Sequence, residues 1–268
     1  MIWHAESIWE NVVPLLPGFT VEVLPEVDST NTELMRRARA GQREPVLLVA
    51  ERQTAGRGRL GRDWHSVPGD SLTFSLGLPL APADWAGLSL AVGVAVAESL
   101  HEAVKLKWPN DLWLAGDHKL GGILIETASF GAERHAVIGI GINIAPHFSA
   151  DAAAALRSPP AALQQLLPGI DAPAALARIA RPLVTALLAF QGLGFAPFQA
   201  RFNARDVLRG RVVALSDGVS GEARGVGADG ALLVHTAGAM QHVTSAEVSV
   251  RPVSSPAPTT SAPRAGAG

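Results

Sequence analysis

The chain has 268 residues, with 24 acids against 22 bases, and it contains no cysteine and no tyrosine. Without cysteine there can be no disulfide framework, thiolate metal site or cysteine nucleophile, and a formal charge of −2 argues against a generally basic nucleic-acid binder. Only three of the bases are lysines, and Lys105, Lys107 and Lys119 share one short window of a chain that otherwise uses arginine.

An apolar content of 48% is ample for a core. The length suits one domain of about 200 residues with a small appendage. The apolar stretch Leu88–Ala97 is broken by Ser89 and Gly93 and falls short of the roughly 20 residues a membrane span needs. The first residues carry Glu6 and Glu10 and no basic cluster, so they do not read as a secretory signal. A soluble cytoplasmic protein with no membrane partner is expected.

In chain order, residues 19–27 alternate as a strand, and Thr30 with Glu33 forms a capping box for a helix over 31–40, stopped by Gly41. Strands follow at 45–51 and 71–80, then a helix of small and aliphatic residues at 84–102. Strand patterns recur near 104–108, 111–115, 119–127 and 134–145, and helices at 159–166, 173–191 and 195–204. Strands with few intervening helices predict an α+β fold around an antiparallel or mixed sheet flanked by helices. From about 207, short strands alternate with Asp-Gly and Ala-Gly turns, predicting a small all-β unit packed on the main body. The expected organisation is a catalytic domain over 1–204, a small β-barrel over 205–252 and a disordered tail over 253–268.

Gly56-Arg57-Gly58-Arg59-Leu60-Gly61 matches a dinucleotide-binding fingerprint letter for letter. The fingerprint requires a helix next, yet Arg62-Asp63-Trp64-His65-Ser66-Val67-Pro68-Gly69 is poor helix material, so the match is coincidental. Its glycines still free backbone N–H groups to wrap an anion, with Arg52, Arg57, Arg59 and Arg62 adding charge. In Lys107-Trp108-Pro109-Asn110-Asp111, a tight connection presents an amide and a carboxylate, and Asp111 could help hold a magnesium–phosphate complex. Lys119-Leu120-Gly121-Gly122 sets a lysine at a strand mouth beside glycines that permit close approach, and Gly139–Asn143 is a strand ending in an amide. Together these form a cationic site with no plausible nucleophile, suited to phosphoryl or nucleotidyl transfer by positioning and charge neutralisation.

The ordered set Ser29-Thr30-Asn31, Gln53 with GRGRLGR and Trp64, KWPND, KLGGILIE and GIGIN resembles biotin protein ligase over about residues 25–145. The resemblance implies a core like that of class II aminoacyl-tRNA synthetases, followed by a small Src-homology-type barrel. It implies activation of biotin by Mg-ATP to biotinyl-5′-AMP, then transfer to a lysine of a biotin carboxyl carrier protein domain, as in acetyl-CoA carboxylase.

It further implies that Ser29, Thr30, Asn31, Gln53, Gly56, Arg57, Arg59, Lys119 and Gly122 bind biotin. Arg59, Arg62, Trp64, Asn110 and Asn143 would serve the nucleotide, Asp111 would meet Mg2+ through phosphate, and Lys119 and Arg59 would act in catalysis. A homodimer is a family expectation only. Family members that double as repressors carry an N-terminal winged helix-turn-helix. The segment before residue 20 is too short for one, so a monofunctional ligase that binds no DNA is expected. The alternatives are a lipoate or octanoate ligase of the same superfamily and, from another class, a single-strand nucleic-acid-binding module.

Overall fold

Leu47 and Val49 point to one side of a strand and Leu48 to the other, and all three are fully buried. Burial on both faces places a strand inside a covered sheet. The computed structural model describes residues 1–146, 158–216, 218–244 and 250–252. It opens with helix α1 (Ala5–Val12), strand β1 (Thr20–Val27), helix α2 (Thr30–Arg39) and the doubly buried β2 (Val46–Gln53). β3 (Ser71–Pro79), helix α3 (Leu88–Leu100), β4 (Lys105–Lys107), β5 (Asp111–Leu114), β6 (His118–Phe130) and β7 (Glu133–Asn143) follow. The seven strands form one sheet in the order β1-β2-β3-β7-β6-β5-β4. β1 and β2 run parallel across α2, and the other neighbours are antiparallel.

One face of the sheet carries the main core, which takes in Leu47, Val49, Phe74, Ile138 and Ile140 together with α1, α3, α4 (Ala172–Leu193) and α5 (Ala196–Arg205). On the other face the helix is α2, which packs Leu34 and Met35 against Leu48 and Val137. Helix α4 is long and apolar enough to cross a bilayer by length and composition, unlike the broken Leu88–Ala97 stretch. Here Leu176, Ile179, Leu183, Leu187 and Phe190 are buried, and α4 packs on α1, α3 and β3, making it a core helix.

Three expectations change. The cap of α2 is Ser29, whose hydroxyl accepts from the Thr32 N–H at 3.4 Å; Glu33 pairs with Arg36 and Arg37 instead of closing a capping box with Thr30. Residues 159–166 are not a helix. The Lys119 N–H donates to the Pro159 carbonyl and the Ala161 N–H to the Lys119 carbonyl, both at 2.8 Å, so this stretch runs beside β6 and only Leu163–Gln165 turn. Helix α1 went unread, although Ile8 and Val12 are one turn apart and both are buried.

The C-terminal strands β8 (Val212–Leu215), β9 (Ser220–Val226), β10 (Leu232–His235), β11 (Met240–Val243) and β12 (Val250–Pro252) form a five-stranded antiparallel sheet, ordered β11-β10-β9-β8-β12. β11 and β12 thus stand at opposite edges of that sheet. It is tied to the main body at several points. The buried Trp108 indole donates to the Gly230 carbonyl at 3.1 Å, and Arg211 grips Asp117 through a fork at 2.6 and 2.7 Å. The expected disordered tail lies outside the described residues.

The chain crosses toward the second sheet at Asp206, which bridges Leu106 of β4, while the Val207 N–H donates to the Leu106 carbonyl at 3.0 Å. Asp206 Oδ1 accepts from the Leu208 N–H at 2.9 Å, and Oδ2 is buried without a partner. Burial pushes this carboxyl up to about 6. The folded value lies above the unfolded one, so the stabilising contribution is complete below about pH 4 and is lost as pH rises through about 6. Asp206→Asn removes the charge and keeps an acceptor. It should raise stability by about 1–3 kcal/mol at pH 8 and by little at pH 4. Urea midpoints at the two pH values check this, and equal gains at both would contradict it.

Candidate active site

On β3 and β7 the side chains alternate between core and site. Leu72, Phe74, Leu76, Ile138, Ile140 and Ile142 fill the core, so Thr73, Ser75, Gly139, Gly141 and Asn143 face the other way. Onto this face come the start of α2, the Gly/Arg loop and the β4–β5 connection.

The start of α2 forms a saturated polar socket. The Thr30 N–H and hydroxyl both donate to Gln53 Oε1, at 2.7 and 3.0 Å. The fully buried Ser75 hydroxyl lies 2.7 Å from both Thr30 Oγ1 and Asn31 Oδ1. Asn31 Nδ2 donates to the Leu124 carbonyl at 3.2 Å and to Glu126 Oε2 at 2.9 Å. Ser75 and Glu126 were missed by the sequence reading, though the polar–apolar alternation Thr73, Ser75 against Leu72, Phe74, Leu76 marks the former. Gly139 makes the socket possible, because a Cβ there would stand 2.2 Å from Asn31 Oδ1. Gly139→Ala is expected to displace Asn31 at a cost of about 1–3 kcal/mol, read as a lowered denaturation midpoint. An unchanged midpoint would show that the socket is looser than described.

The Gly/Arg loop folds on itself. The Trp64 N–H donates to the Gly56 carbonyl at 2.9 Å, and the Gly58 N–H to the Arg62 carbonyl at 2.7 Å. A Cβ at position 56 would stand 2.4 Å from the Trp64 carbonyl, so glycine is required there. The Trp64 indole lies on Gly141, where a Cβ would come within 2.5 Å of the ring. Leu60 sits at the loop tip with φ +57° and an exposed side chain. Arg57 and Arg62 are exposed, whereas Arg59 turns inward and donates to Asn110 Oδ1 at 3.4 Å. Burial lowers the Arg59 pKa, Asp111 opposes that shift and Arg62 adds to it. Arg52 does not join the cationic loop, because it pairs with Glu26 at 2.9 Å, its register partner on β1.

Opposite the loop, Lys119 Nζ meets Asp111 Oδ1 at 2.6 Å. Asn110 Nδ2 donates to the Ile123 carbonyl at 2.7 Å, so this residue braces the hairpin as well as receiving Arg59. Asn143 Nδ2 donates to the Ala161 carbonyl at 2.9 Å, fastening β7 to the chain after the site. The two glycines after Lys119 serve different purposes. A Cβ at 121 would strike the Gly141 carbonyl at 2.4 Å, whereas one at 122 would reach Lys119 Nζ and Asp111 Oδ1 at 3.5 and 3.6 Å. Gly122 alone of this pair faces the charged groups.

The site therefore gathers Arg59, Arg62, Lys107 and Lys119 around Asp111, beside the Thr30–Asn31–Gln53 socket. Such a surplus of cations suits the meeting of two anions. Among the described residues no group of three His, Asp or Glu side chains could cage a metal ion. Mg2+ commonly binds through one or two carboxylates plus substrate phosphates, and Asp111 is the carboxylate available here.

Comparisons with known proteins agree with this geometry. Residues 23–143 match the biotin/lipoate A/B protein ligase family, and residues 201–251 match the biotin protein ligase C-terminal domain. The bifunctional ligase/repressor BirA of Escherichia coli is 36% identical over 252 residues, covering 90% of this chain and 77% of that protein. The biotin–[acetyl-CoA-carboxylase] ligase of Paracoccus denitrificans is 30% identical over 241 residues, covering 84% of this chain and 98% of the relative. The Aquifex aeolicus biotin protein ligase, solved with biotin and ATP, superposes with a TM-score of 0.73 at 28% identity, covering 87% of this chain and 99% of that one. With both matched segments in order and relatives aligned along nearly the whole chain, this protein belongs to the biotin/lipoate A/B protein ligase family, in its biotin protein ligase branch.

Proposed function

We propose that the chain activates biotin with ATP and transfers the biotinyl group to one lysine of a biotin carboxyl carrier protein domain. The observation that carries this reading is the Lys119–Asp111 pair, with Arg59 brought against Asn110 beside it. In the first half-reaction a biotin carboxylate oxygen attacks the α-phosphorus of ATP, and the bond to pyrophosphate breaks with its electron pair. In the second, a carrier lysine amine attacks the acyl carbon and AMP departs.

Lys119 and Arg59 stabilise the charge that builds at phosphorus, one as a point charge and the other as a fork. Thr30, Asn31 and Gln53 orient biotin, supported by Ser29 at the cap of α2 and by the backbone at Gly56, Arg57 and Gly122. Arg62, Trp64, Asn110 and Asn143 stand on the nucleotide side. Asp111 would help hold Mg2+ brought by the phosphates, and the ion would supply charge neutralisation there. No covalent enzyme intermediate is required, in keeping with a site that offers no nucleophile.

The carrier is proposed to be that of acetyl-CoA carboxylase or a similar carboxylase, met in the cytoplasm; the names of the ligase relatives support the carboxylase partner. The matched C-terminal domain and the Gly/Arg loop favour biotin over lipoate. Pyrophosphate exchange measured with biotin, with lipoate and with no acid tests the reading. Exchange should depend on biotin, and exchange driven by lipoate alone would replace the assignment.

A further inference from the structure

Lys119 rests in an ion pair, yet the proposed reaction needs its charge elsewhere. One positive charge cannot balance Asp111, a biotin carboxylate and an α-phosphate together. Moving it away would leave a half-buried carboxylate without its resting partner, which is costly unless another cation, Mg2+ or a side chain, replaces it. The fold supplies a second cation at the right place. Lys107 is the register partner of Asp111 across β4 and β5, and directly opposed residues hold their Cβ atoms about 5 Å apart, within reach of a lysine stem.

Lys107 does not contact Asp111 at rest. Its Nζ lies 4.8 Å from the centre of the Trp113 ring. Trp113 in turn pairs in register with Lys105 on β4 and with Lys119 on β6. Lys107 makes no ion pair among the described residues; its ammonium rests over an aromatic face instead. Burial depresses the Lys107 pKa, with Asp111 and, more weakly, Asp117 acting against that shift and Lys119 and Arg62 reinforcing it. Departure of Lys119 from Asp111 would remove a repelling neighbour and open a carboxylate oxygen together.

We propose that Lys107 is a positioning residue for the ligase reaction, a reserve counter-charge that takes over Asp111 when Lys119 leaves it for the reacting anions. This inference rests on the ligase reading above. In it, the lysine of the KWPND segment acts through Asp111 rather than by touching substrate.

The scarcity of lysine makes the exchange observable. Protein labelled with 13C at lysine Cε gives signals from Lys105, Lys107 and Lys119 alone, assigned with Lys105→Arg and Lys107→Arg. On addition of biotin and α,β-methylene-ATP with Mg2+, which cannot release pyrophosphate, the Lys119 and Lys107 signals should move and the Lys105 signal should stay. In Asp111→Asn the movement of Lys107 should vanish. In parallel, Lys107→Met should lower kcat/KM for biotin-dependent exchange about tenfold, chiefly through KM, and Lys107→Arg should recover most of it. A Lys107 signal that stays still while Lys119 moves overturns the proposal, as does full activity of Lys107→Met. Wild-type protein without biotin-dependent exchange would instead remove the ligase reading, and this inference with it.

Discussion

With Lys119 replaced by alanine, biotin-dependent pyrophosphate exchange falls by about 100- to 1,000-fold, the usual penalty for removing one group aimed at developing charge. The fold should survive, because Lys119 holds the neighbouring chain through its backbone. Its N–H and carbonyl bind Pro159 and Ala161 whatever the side chain is, and the side chain itself is 31% exposed. A denaturation midpoint close to that of the unmodified protein is therefore part of the expected result. Near-normal exchange in Lys119→Ala would remove this residue from the chemistry and leave the Asp111 pair as a structural feature.

Arg59→Ala should act on a later event. Biotinyl-5′-AMP is a mixed anhydride that hydrolyses readily, and a loop closed over it both retains it and excludes water. Arg59 is the arginine of the loop that turns inward to the β4–β5 connection. Loss of one charge-assisted hydrogen bond, worth about 1.5–3 kcal/mol, predicts escape of the intermediate at least about tenfold faster. The readout is chase release of labelled adenylate, together with biotin appearing on lysines of a bystander protein. Unchanged release and unchanged labelling would show that the loop does not retain the intermediate through Arg59.

Most of the sheet was legible, from alternation along some strands and from continuous apolar runs at 45–51 and 71–80. The same alternation decides the meaning of Gly139 and Gly141, whose neighbours Ile138, Ile140 and Ile142 fill the core while the glycines receive Asn31 and Trp64 on the opposite face. Letter patterns alone could not tell a glycine that admits a ligand from one that admits a protein side chain. The cap of α2 was misassigned by one residue because Ser29 and Thr30 are chemically equivalent caps; what separates them is Gln53, 23 residues further on, which claims Thr30. The segment 159–166 looked helical from its alanines and leucines, but Pro159 and Pro160 favour extended backbone, and pairing with Lys119 decided the outcome. The Lys119–Asp111 contact lay beyond reach, since it depends on an irregularity between Leu112 and Trp113 where β5 meets β6.

The hydrogen bond from the Trp108 indole to the Gly230 carbonyl makes one proton a witness to the joint between the two sheets. That N–H is shielded from deuterium only while the second sheet stays seated over the connection that presents Asn110 and Asp111. Its exchange rate therefore counts the openings of that joint directly. Any terminal trimming that unseats the second sheet would be felt in the catalytic hairpin, more than a hundred residues earlier in the chain.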